Sequence, residues 1–132
     1  DALRGELQQV MEADCGVFRT ETVLADGLRK VSALAGRMAD VRLRDHSRLF
    51  NTARIEAMEL ENLMDCALAT VAAALARQES RGAHTRIDYP QRDDVHWLRH
   101  SLYHRDTRSV DSKPVRTRPM TVDSFPPKER VY

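Results

Sequence analysis

At 132 residues the chain is one domain's worth of sequence, with 21 basic and 20 acidic side chains, a formal charge of +1 and only 5% aromatic residues. That balance excludes a basic nucleic-acid-binding patch: residues 1–78 hold ten basic and twelve acidic side chains and residues 79–132 eleven and eight, a surplus of only +3 in the second part. No apolar run approaches the roughly 20 residues that span a bilayer; the longest, residues 67–76, is interrupted by Thr70 and flanked by Asp65 and Arg77.

The first predicted element covers residues 2–14, where Leu3, Leu7, Val10 and Met11 fall on one helical stripe. A second helix is expected from about Thr20, with Glu21 suited to the positive end of the helix dipole and an inner face of Leu24, Leu28, Val31, Leu34 or Ala35, and Met38. Residues 40–48 are charged and without period, a connector with room for a short helical turn. The third helix is expected to start with Asn51 as its N-cap. Its inner side is read as Ile55, Met58, Leu63 or Met64, Ala67, Leu68, Val71 and Leu75, with Gly82 as the stop, a length of about 42 Å. The fold class expected is therefore mainly α: an antiparallel three-helix bundle over residues 1–82, like a spectrin repeat. An extended, Pro-rich tail with short strands follows over residues 83–132 and packs on the bundle or on another domain. Within it, a short helix is expected from Asp93 or Asp94 to His100. Short strands or extended segments are expected at residues 101–104 and 115–120, with Arg116 and Arg118 read as one face of an edge strand.

Cys15 and Cys66 lie on helical, apolar patterns and are read as buried free thiols rather than a disulfide. Ser80 and His84 could suggest a catalytic pair, but no strained G-x-S-x-G turn surrounds the serine. His96, His100 and His104 would line one helix face as zinc ligands; no cysteine or placed carboxylate completes the set, and no metal is expected. Glu56, Glu59, Glu61 and Asp65 lack the E-x-x-H motifs of a dimetal bundle, so Glu59 and Glu61 are read as partners of arginines. Gly5, Gly16, Gly27 and Gly36 are isolated, and no glycine-rich dinucleotide fingerprint occurs. Lysine occurs only at Lys30, Lys113 and Lys128; arginine carries the rest of the positive charge, which favours fixed contacts to carboxylates and carbonyls. The start at Asp1 suits a segment cut from something longer, with no leader visible, and the end after Pro126-Pro127 suits a natural terminus.

Residues 79–102 read ESRGAHTRIDYPQRDDVHWLRHSL. Upstream stand Phe50-Asn51-Thr52 and Glu59-Leu60-Glu61-Asn62-Leu63; at the end stands Pro126-Pro127-Lys128-Glu129-Arg130-Val131-Tyr132. Together these resemble the C-terminal domain of the succinate dehydrogenase and fumarate reductase flavoprotein subunits. The tail favours succinate dehydrogenase; a fumarate reductase, an L-aspartate oxidase or a stand-alone helical interaction module are the alternatives. The resemblance implies a parent protein in which a Rossmann-like domain binds FAD covalently, a capping domain closes over succinate and an arginine shuttles the proton. Electrons would pass through an iron–sulfur subunit to quinone. It implies no catalytic residue, no direct cofactor contact and no metal ligand in this chain. Its role would be structural, with Arg81, His84 and Arg130 supporting domain docking and flavin attachment. The implied partners are the FAD-binding domain of the same polypeptide, the iron–sulfur subunit and an assembly factor for flavin attachment, with no nucleic acid and no membrane span. The implied location is peripheral, on the cytoplasmic side of a bacterial inner membrane or the matrix side in a mitochondrion.

Overall fold

The computed structural model describes residues 2–128 and is mainly helical. Helix α1 (Ala2–Asp14) buries Leu3 and Leu7, with Val10 and Met11 against the same core, as the stripe requires. Helix α2 (Glu21–Gly36) begins where Thr20 turns extended and its hydroxyl accepts from the Val23 amide at 3.3 Å. It buries Leu24, Val31 and Leu34. A 3-10 turn (Arg37–Asp40) ends it, slightly earlier than the helical turn expected in the connector.

Helix α3 (Thr52–Ala76) starts at Asn51, whose Oδ1 accepts from the Arg54 amide at 2.8 Å. The same side chain donates to the Asp45 and Ser47 carbonyls, so one residue caps the helix and ties down the preceding loop. The helix packs mainly on α2, which in turn packs on α1. Its buried face runs through Leu60, Met64, Ala67, Leu68, Val71 and Ala74, whereas Ile55, Met58 and Leu63 point to solvent. Met64, Ala67, Leu68, Val71 and Leu75 thus face the core as read from sequence, and Ile55 and Met58 are corrected. At about 100° per residue Ile55 and Met58 fall on the side of α3 opposite Leu60, while Ala53 and Ala57 on the inner side of the same turns are partly buried. Cys66 is likewise exposed, and only Cys15 is a buried thiol.

Helix α3 ends at Ala76, well before Gly82. Gly82 instead sits at φ +58° in a tight turn, closed by Arg81 N–H to the His84 carbonyl at 2.8 Å and His84 N–H back to Arg81 at 3.0 Å. A positive φ at the first central position of a two-residue loop is where glycine fits without strain. Beyond it, β2 (Thr85–Arg86) pairs in parallel with β1 (Phe18–Arg19), Phe18 beside Thr85 and Arg19 beside Arg86.

No helix forms over residues 93–100. Asp93 caps a single turn through the Val95 and His96 amides, and strand β3 (Arg99–His104) follows at once. Its antiparallel partner is β4 (Ser109–Pro114), not residues 115–120, so Arg116 and Arg118 lie outside any strand. Tyr103 packs from the hairpin against the core, and Arg105 at its tip pairs with Asp65 at 2.8 Å and Glu61 at 3.3 Å. Glu59 pairs with Arg4 of α1 at 3.3 Å, so both glutamates do meet arginines.

Candidate functional site

The chain between α3 and β3 is organised by charges withdrawn from water. Glu79 and Arg86 are fully buried. Burying a lone ion is costly, so each must be fully bonded. Glu79 accepts from Arg81 Nε at 2.9 Å, Arg81 Nη2 at 3.0 Å, the Asp93 amide at 3.0 Å and Arg77 Nη1. Burial works to raise its pKa, but the bonds from Arg81, the Asp93 amide and Arg77 outweigh it and hold the carboxyl below its ordinary value. Arg81 also reaches Asp94 Oδ1 at 2.6 Å, and its pKa is raised by Glu79 first and Asp94 second.

Arg86 forms a two-pronged pair with Asp88, Nε to Oδ1 at 2.8 Å and Nη2 to Oδ2 at 2.7 Å. That bond drives the Asp88 carboxyl well below the usual carboxylate range. The remaining Nη1 donates to the carbonyls of Ala74, Leu75 and Arg77, closing the end of α3, and the guanidinium lies 5.0 Å from the Tyr89 ring centroid. Asp88 Oδ2 also accepts from the Glu21 amide at 2.8 Å, at the amino end of α2.

His84 sits between arginines. Arg19 Nη1 lies 2.8 Å from its Nδ1, and its Nε2 lies 3.3 Å from the Arg77 carbonyl. A guanidinium only donates, so Nδ1 accepts and the ring proton is on Nε2. Burial pushes the imidazole pKa down; the Arg77 carbonyl favours the charged form, but Arg19, Arg86 and Arg77 add to the depression. Arg77 itself donates to the Trp97 carbonyl at 2.8 Å and to that of Arg99, and lies 5.5 Å from the Trp97 ring, fastening the hairpin to α3.

Two of the sequence-derived site residues, Arg81 and His84, are thus brought to the two ends of one turn. The third, Arg130, lies outside the described residues. Ser80 and His84 are not hydrogen-bonded to each other: the serine hydroxyl accepts from the Arg86 amide at 2.8 Å and donates to the Tyr89 carbonyl at 2.8 Å. His100 and His104 lie on β3, while His96 pairs with Asp93 at 2.8 Å, so the helix that would have aligned the three is absent. Among the described residues, no three His, Cys, Asp or Glu side chains are grouped as metal ligands would be, and no helix is long and apolar enough to cross a membrane.

The residues here do not fit a flavin. A dinucleotide needs backbone amides or free guanidinium forks around its phosphates. The amides at both ends of the Gly82 turn are taken by that turn, and the forks of Arg81 and Arg86 are held by carboxylates. What the arrangement does is fix backbone: it joins the ends of α2 and α3, the ladder and the hairpin. Sequence reasoning named Arg81 and His84 but missed Glu79, Arg86, Asp88, Arg77 and Arg19, although the first three stand in the same run. Their signal was alternating charge around a Gly turn and Tyr89-Pro90, too polar for a core by composition and too balanced for a solvated face.

Comparison with known proteins gives a concordant answer. The family described as "Fumarate reductase flavoprotein C-term" matches residues 4–132. A succinate dehydrogenase flavoprotein subunit of Coxiella burnetii is 48% identical over 128 residues, 97% of this chain and 22% of that protein. A fumarate reductase flavoprotein subunit of Mycobacterium tuberculosis is 41% identical over 130 residues, 98% of this chain and 22% of that protein. A solved E. coli quinol fumarate reductase superposes with a TM-score of 0.85 at 34% identity, covering 99% of this chain and 22% of that one. The chain spans about a fifth of the length of these relatives. It belongs to the succinate dehydrogenase and fumarate reductase flavoprotein family, and what it matches is that family's C-terminal domain.

Proposed function

We propose that this chain is the C-terminal structural part of a succinate dehydrogenase flavoprotein subunit. The observation that carries the reading is the 48% identity to a protein of that name across 97% of the chain. In this reading the parent polypeptide oxidises succinate to fumarate with covalently held FAD and passes electrons through an iron–sulfur subunit to quinone. It does so at the cytoplasmic face of a bacterial inner membrane, or at the matrix face in a mitochondrion. Residues 1–82 serve as an antiparallel three-helix brace, and residues 83–132 lie against it and against the flavin-binding part. Arg81 and His84 support docking by holding the turn between them rigid, Arg81 through buried Glu79 and His84 through Arg19. Arg130 is assigned the same supporting role, and an assembly factor for flavin attachment acts on the docked form.

A fumarate reductase is the second reading, favoured by the 41% relative and by the 0.85 superposition. Both are tested on the full-length flavoprotein with its iron–sulfur partner. Succinate-dependent dye reduction faster than fumarate-dependent oxidation of a reduced viologen is expected. The reverse ratio assigns the second reading, and loss of both activities in flavin-loaded protein would sink the pair.

A further inference from the structure

The β1–β2 ladder is built inside out. Pairing puts Arg19 and Arg86 on one face, and that face is turned inward, with Arg86 fully buried. The alternation of a strand then sends Phe18 and Thr85 outward, and Ile87, two residues beyond Thr85, joins them. The Ile87 amide donates to the Arg19 carbonyl at 2.8 Å, holding that position in register. Phe18 is 72% exposed, Ile87 60% and neighbouring Val17 68%. Single exposed apolar side chains are ordinary, but here two distant stretches of chain are hydrogen-bonded together so that their apolar side chains share one outward face. Charged groups inside and apolar groups outside is the reverse of what water alone would select.

We infer that the outward face formed by Phe18 and Ile87 is a docking surface, covered by an apolar face of the flavin-binding part of the same polypeptide. The inference rests on the reading of this chain as one part of a longer flavoprotein. The relatives it matches are more than four times longer, at 22% coverage, so the parent has ample surface to supply the cover. The face also adjoins the Arg81–His84 turn, because Thr85 directly follows His84. The docking contact is therefore an apolar seat beside a rigid polar turn, the usual pattern of a dry centre with a polar rim.

The test uses the intact flavoprotein. Phe18→Cys and Ile87→Cys should react with a maleimide far more slowly than free cysteine, and Phe18→Asp should lower bound flavin per protein severalfold with helix content unchanged. Labelling at the rate of free cysteine in both, with wild-type flavin in Phe18→Asp, overturns the proposal. Protection that disappears on dilution would assign the cover to a second copy and overturn it as well. Should Phe18→Asp not fold, the two cysteine variants decide alone. The outcomes separate the two claims: protected cysteines in a parent that neither oxidises succinate nor reduces fumarate defeat the functional reading but not the cover. Freely labelled cysteines in an active parent defeat only the cover.

Discussion

Glu79 is the residue on which most of the polar network depends. It has no water to fall back on, and it neutralises two guanidinium groups at once. Removing one partner of a buried ion pair typically costs about 3–5 kcal/mol, because the remaining charges lose their bonds without regaining solvent. Glu79→Ala is therefore expected to destabilise by about that much, read as a fall in urea midpoint with little change in slope. A loss under about 1 kcal/mol, the scale of an exposed pair, would show that Arg77 and Arg81 find solvent instead. His84 sets a separate, pH-dependent term. Its pKa in the fold is depressed by burial and by Arg19, Arg86 and Arg77, against an unfolded value of about 6.5. A depressed histidine stabilises fully above its unfolded value and loses that contribution as pH falls through the folded one. The thermal midpoint should thus fall on acidification below about pH 6.5, and His84→Gln, which keeps an acceptor for Arg19 and a donor for the Arg77 carbonyl, should flatten that part of the profile. Identical profiles for both proteins would contradict the neutral, Nε2-protonated assignment. Below about pH 4 a second loss is expected, because Asp88 and Glu79 are held under their ordinary values and must be protonated.

Among the elements, the two shorter helices were legible because their stripes are short and clean. Leu3, Leu7, Leu24, Val31 and Leu34 are buried where the period places them, and Asn51 caps α3 as its side-chain chemistry suggests. Helix α3 misled for a physical reason. Met64, Ala67, Leu68 and Val71 were read correctly, but Ala72 and Ala74 were missed because small side chains carry little hydropathy signal, and the larger Ile55 and Met58 lie on the outward side. Periodicity reports which residues are apolar, and only tertiary packing decides which face of a helix is covered. The buried charges were illegible for a related reason: hydropathy assigns Glu and Arg to water, and only their mutual distances in three dimensions make burial tolerable. The crossing of α1 and α2 also left no sequence signal. A Cβ on Gly27 would stand 2.8 Å from Asp14 Cβ, a stiff neighbour close to the backbone, whereas one on Gly5 would meet nothing within 4 Å. Alanine in a helix gains up to about 1 kcal/mol over glycine, but forcing atoms into a packed contact costs roughly 1–3 kcal/mol. Gly5→Ala should therefore raise the thermal midpoint and Gly27→Ala should lower it. A rise in both would mean that the crossing yields at no cost.

For the whole molecule, the sequence motif predicted membership in the family, and the family match spans residues 4–132. Its chemistry was less transparent. A run rich in Arg, His, Ser and Asp invites a catalytic reading, yet each of those groups is engaged in holding the chain to itself. The chain expressed alone is accordingly expected to show a strongly helical circular dichroism spectrum and to elute free of flavin after incubation with FAD. Flavin absorbance that co-elutes in stoichiometric amount would refute this, and would require a phosphate cradle among groups that here bond to one another.

Arg86 bears on the order in which the chain is made. Its guanidinium closes the carbonyl end of α3 from 12 residues beyond Ala74, and Asp88, two residues on, takes the first amide of α2 across a separation of 67 residues. A polypeptide leaves the ribosome from its N-terminus, and domains tend to assemble as they emerge. Helix α2 is therefore synthesised long before the carboxylate that bonds its first amide, and α3 shortly before the arginine that closes its end. Until residues 86–88 appear, the Ala74 and Leu75 carbonyls of one helix and the Glu21 amide of the other have only solvent as partner, and these ends fray accordingly. The arrival of one arginine–aspartate pair then completes two distant helices in a single event. Completion of both helix ends thus waits for residues 86–88.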